Sequence, residues 1–105
     1  MMKNTKLCNR IINVNERRTS MRLCVAEWDA LKEICKKEKT SRNLLIEFIS
    51  KYKDPELGLS YATRLFITHY FQSAATDTGH RLAGHGRTEE NHQTLVLSIK
   101  NLFNS

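Results

Sequence analysis

The chain has 105 residues, 40% hydrophobic and 27% charged, with four glycines and one proline; this balance excludes fibrous and disordered classes and predicts one mainly helical globular domain near the lower limit of comfortable stability. Its formal charge of +6 favours a polyanionic partner, and that charge is concentrated, since residues 1–22 hold Lys3, Lys6, Arg10, Arg17, Arg18 and Arg22 against the single acid Glu16. No apolar run approaches the roughly 18 residues that span a bilayer, and the start MMKNTKLCNR lacks the apolar middle of a signal peptide; the expected location is cytoplasmic, with no membrane partner.

In chain order, residues 1–9 are polar and without period, which predicts a mobile basic arm. The stretch RIINVN that follows is rich in β-branched residues and reads as extended, although Asn15-Glu16 lacks the glycine of a tight hairpin. Residues 18–24 alternate: Thr19, Met21 and Leu23 can face a core while Arg18, Ser20 and Arg22 face away, the pattern of a strand. The period then lengthens. Trp28, Leu31, Ile34 and Cys35 recur at three- and four-residue steps and predict a helix to about residue 38, with Trp28 in the core. Ser41 is a good N-cap for a second helix with Leu44, Leu45, Phe48, Ile49 and Tyr52 on one stripe, ending before Asp54-Pro55. Ser60 can cap a third helix over 61–73, with Ala62, Leu65, Phe66, His69 and Tyr70 inward. The segment ATDTGHRLAGHGR carries three of the four glycines and reads as a linker, and Leu95, Ile99, Leu102 and Phe103 predict a terminal helix. The expected organisation is therefore a basic arm (1–9), a domain (10–74), a linker (75–87) and a helical tail (88–105).

A solitary strand leaves both edges without hydrogen-bond partners. A second copy of the chain is the simplest neighbour, and two antiparallel copies of RTSMRL would make a two-stranded ribbon with Arg18, Ser20 and Arg22 on its free face. Such a ribbon fits the major groove of B-DNA, where arginine bonds guanine O6 and N7 and serine bonds several base edges. An alternating strand with outward arginines is, taken alone, more often just a solvated edge protected against aggregation; the helices that follow it tip the balance.

The order of strand RTSMRL, helix WDALKEI, turn TSRN and helix LLIEFI resembles the ribbon-helix-helix DNA-binding family of the Arc/MetJ type. The resemblance is closest to a bacterial subfamily with an R-T-S-x-x-L start, a W-x-A-L helix and a third helix of S-x-A-x-R-x-F-x-x-x-x-Y form, matched here by Ser60, Ala62, Arg64, Phe66 and Tyr70. It covers roughly residues 10–72. The resemblance implies a mainly α fold in which one short strand pairs with a second chain in an intertwined homodimer, and a function as a sequence-specific repressor of transcription on double-stranded DNA. It also implies base contacts from Arg18, Ser20 and Arg22 and phosphate contacts from Ser41, Arg42 and Asn43, with Arg17 a further one. Free amides at a helix N-terminus suit an anion physically. Cys24 departs from the subfamily's usual acid, Glu27 from its aromatic, Lys39 from its glycine between the helices and Thr40 from its aliphatic residue.

Other chemistry has weaker support. Cys8, Cys24 and Cys35 are too irregularly spaced for a disulfide framework or a CxxC site, and read as reduced thiols. His80 and His85 lack metal-ligand spacing and are expected to be linker polarity, so no metal or other cofactor is expected. No nucleophile has a matching histidine, and no glycine loop follows a strand, so no enzyme is expected. Arg64 reads as a structural or ion-paired residue rather than a DNA contact. The competing functional reading is a protein-interaction or antitoxin-like module whose helix 88–103 docks a partner protein through its apolar set, although the same set can equally pack on its own domain.

Overall fold

The computed structural model describes residues 2–75 and 88–104. A short 3-10 turn, Met2–Thr5, leads into strand β1 (Leu7–Val14), and β2 (Arg17–Cys24) returns antiparallel to it; among the described residues the helices that follow are α1 (Val25–Glu38), α2 (Arg42–Tyr52), α3 (Leu59–Ala74) and α4 (Thr88–Phe103).

The two strands are joined by a two-residue turn in which Asn15 (φ 54°) and Glu16 (φ 64°) both adopt left-handed backbone, as a hairpin turn that matches the natural strand twist requires. Asparagine tolerates this region; glutamate enters it at a cost of about 1–2 kcal/mol. The register runs from Val14 opposite Arg17 to Leu7 opposite Cys24. Three expectations change here. The neighbour of β2 is β1 of the same chain rather than a second copy, the hairpin forms without a glycine, and residues 7–9 belong to β1 rather than to an arm. The reason is common to all three: Ile12 and Val14 alternate toward the same core as Met21 and Leu23, and burying all four rewards the turn.

The inward face of the hairpin rests on the helices, with α2 along β1 and α3 along β2. Thr19 was expected on this face with Met21 and Leu23 and shares their parity, but it lies exposed toward the turn.

Trp28, Leu31 and Ile34 of α1, Leu45, Ile46 and Ile49 of α2 and Ala62, Phe66 and Tyr70 of α3 complete one core. Each helix boundary has a local cause. The Cys24 N–H donates to Glu27 Oε1 (2.8 Å), closing the start of α1, and α1 ends on Lys39, whose φ of 55° and ψ of 48° are left-handed. Glycine usually occupies that position because it has no Cβ to clash. Ser41 Oγ accepts from the Leu44 N–H at 3.1 Å, capping α2 as expected. Helix α3 starts two residues before its expected start, at Leu59, with Gly58 rather than Ser60 as its N-cap; Leu65 and His69, expected inward, are half-buried.

Helix α4 packs against α1, α2 and α3. Leu95 and Ile99 are almost fully buried there, and Leu102 and Phe103 pack on the same core. The apolar set that suggested a docking helix is thus committed to the chain's own domain. His80 and His85 of the expected linker lie outside the described residues. No helix among the described residues is long and apolar enough to cross a membrane.

Candidate nucleic-acid interface

A two-residue turn closed by Val14 and Arg17 sends alternate residues of both strands to the side away from the helices. On β2 these are Arg18, Ser20 and Arg22, all exposed. The three expected base readers therefore share one face and one line. The same face carries Asn9, Ile11 and Asn13 of β1, also exposed; the sequence signal for β1 is only that of an extended stretch, which does not place these side chains. Arg17 is exposed beside the turn.

Side chains from the helices reach single backbone groups on both outer edges of this ribbon. Along β1, Asn43 Oδ1 accepts from the Asn13 N–H (3.3 Å) and Arg42 Nη2 donates to the Ile11 carbonyl (3.4 Å). Along β2, Arg64 Nη2 donates to the Arg22 carbonyl (3.3 Å) while its Nε bonds Glu27 Oε2 at 2.9 Å. Burial alone would push the Glu27 carboxyl up, but the Cys24 N–H and the Arg64 guanidinium outweigh it and hold the group below its ordinary value. Glu27 stays anionic and pairs with Arg64, and Arg64 ties the Arg22 carbonyl of β2 to the helices.

Ser41, Arg42 and Asn43 come together at the start of α2, beside the β1 edge. The Ser41 hydroxyl is occupied as a cap. Arg42 also lies over the Trp28 ring, its guanidinium carbon 5.3 Å from the centroid, and Arg10 lies over the same ring at 5.3 Å. Trp28 itself is buried and donates from Nε1 to the Cys8 carbonyl at 2.9 Å, so the tryptophan is a core residue that also seats two cations. A recess of about 380 Å³ opens between Arg10, Lys32, Arg42, Asp29, Cys35 and Trp28. Burial pushes the Cys35 thiol beneath it up to about 11, despite the nearby Arg42, which favours the protonated form at neutral pH.

A comparison with known protein families matches residues 7–71 to the ribbon-helix-helix domain. The chain belongs to the ribbon-helix-helix family. The matched stretch starts with β1 and reaches into α3, so the hairpin, the first two helices and most of the third fall within the family domain, and α4 lies beyond it. Membership supports DNA binding and transcription regulation as the class of function, with antitoxins as another branch. Neither the curated proteins nor the solved structures contain a match to this ribbon-helix-helix chain.

Proposed function

We propose that the protein is a sequence-specific DNA-binding regulator of transcription, acting as a repressor, which inserts its ribbon into the major groove of B-DNA. The observation that carries this reading is the alignment of Arg18, Ser20 and Arg22 on the outward face of a strand pair that has helices on its other side. A two-stranded ribbon fits a groove about 12 Å wide, and the two arginines suit guanine edges. Arg17 and the start of α2, with Ser41, Arg42 and Asn43, flank the ribbon where they can meet phosphates on the groove walls. Two copies of the chain on an inverted repeat form the homodimer of this reading, with occupancy of the operator excluding the transcription machinery.

Binding measured against salt tests it. Neutralising about six phosphates predicts roughly a thousandfold loss of affinity between 50 and 200 mM salt; a flat response excludes this function. The double change Arg18→Ala/Arg22→Ala should abolish sequence preference while the far-ultraviolet circular dichroism stays native. Retained preference would exclude β2 as reader.

A further inference from the structure

Three side chains of β1 stand idle in the reading above. Asn13 sits opposite Arg18, Ile11 opposite Ser20 and Asn9 opposite Arg22. All three share the exposed face. Among the described residues the side-chain amides of Asn9 and Asn13 have no hydrogen-bond partner, and Asn13 uses only its backbone N–H, toward Asn43. Ile11 is 53% exposed in the middle of this polar surface, where it adds nothing to the core.

Each edge of the hairpin is met by helix side chains at individual backbone groups. Arg42 and Asn43 meet the β1 edge, and Arg64 takes the Arg22 carbonyl on the β2 edge. Joining two chains through β2 would build four strands, about 14 Å across before side chains are counted, which exceeds a major groove about 12 Å wide. The element that fits the groove is the hairpin of one chain, and half of its outward side chains belong to β1.

We propose that β1 is a second reading strand: Asn9 and Asn13 recognise adenines and Ile11 contacts a thymine methyl, beside the bases read by Arg22, Arg18 and Ser20. The proposal rests on the DNA-binding function above and assigns it additional specificity residues. An asparagine amide offers one donor and one acceptor at the spacing of adenine N6 and N7, and an apolar side chain distinguishes thymine by its methyl group. Alternate strand residues are roughly 7 Å apart, so each line of three spans roughly 14 Å, about four base-pair steps. The target is then a mixed site in which A·T pairs lie next to the G·C pairs chosen by the arginines.

The test selects bound duplexes from a randomised library with the full chain, its Asn9→Ala, Asn13→Ala and Ile11→Ala variants, and the Arg18→Ala/Arg22→Ala variant, with thermal melting as the check on folding. Asn13→Ala should relax an A·T preference next to the position read by Arg18, and Asn9→Ala one next to the position read by Arg22. Ile11→Ala should weaken a thymine preference between them. Each asparagine change should cost roughly tenfold in affinity for the selected duplex and leave affinity for an unrelated duplex unchanged. If the β1 variants select the wild-type sequence at wild-type affinity while the arginine variant loses preference, β1 is not a reader and the DNA-binding function stands. If wild-type protein selects no sequence, or no variant alters the one selected, both readings fall.

Discussion

Residues in left-handed backbone and the buried acid Glu38 show how single positions were tuned or left untuned. Lys39 ends α1 at φ 55°, and its N–H, like that of Thr40 at 3.0 Å, reaches the Cys35 carbonyl. A left-handed C-cap favours glycine, which has no Cβ to clash, yet here lysine holds that conformation. Lys39→Gly should therefore stabilise the fold by about 1 kcal/mol, raising Tm by about 4–8 °C in a scanning melt; Glu16→Gly in the hairpin turn should act in the same direction. Glu38 is 2% exposed and accepts from the Tyr70 hydroxyl at 2.7 Å. Burial raises its pKa above the ordinary 4.5, against the opposing pull of Tyr70 and of His92. The folded state then prefers the neutral acid, so this group's contribution to stability rises as pH falls from its raised folded value toward 4.5, and is lost again as pH rises. Glu27 has the opposite sign, its contribution lost only as pH falls through its depressed value below 4.5. Glu38→Gln should become progressively more stable relative to wild type as pH rises from 4.5 through the Glu38 titration; denaturant curves that stay parallel across that range would contradict this.

Among elements, helices α1 to α4 announced themselves and the hairpin did not. A helix satisfies its backbone internally, so periodicity and caps such as Ser41 suffice to locate it. A strand needs a neighbour, and its main-chain groups are the same in every residue, so RTSMRL could show that it required a partner without showing which one. The turn signal was weak for a physical reason: Asn15-Glu16 has one residue suited to left-handed backbone and one that is not. Arg64 links these levels by tying α3 to α1 through Glu27 and to the Arg22 carbonyl of β2. The pair is partly exposed, its side chains 40% and 27% accessible, so solvent screening limits its worth. Arg64→Met keeps the packed stem and should cost only about 0.5–1 kcal/mol in urea denaturation, together with a measurable loss of DNA preference as the Arg22 backbone loses its anchor.

For the whole molecule, α4 decides whether the chain is a domain with a detachable tail or one folded unit. Ile99 is fully buried against helices from the remainder of the chain. Ile99→Ala should cost about 2–5 kcal/mol and lower Tm by roughly 8 °C or more, since about 1 kcal/mol moves a domain of this size by 4–8 °C. A helix that served only to catch a partner would leave Tm unchanged.

The amino-acid order alone established a basic helical chain of ribbon-helix-helix kind, placed Trp28 in the core and aligned Arg18, Ser20 and Arg22, because side-chain period and charge are local properties. Folding in three dimensions decided which strand lies beside β2, that Asn9, Ile11 and Asn13 join the arginines, that Arg42 and Asn43 border the ribbon and that α4 closes the core. Each of those depends on surfaces meeting across tens of residues, and complementary burial selects among partners that short-range pattern leaves equivalent.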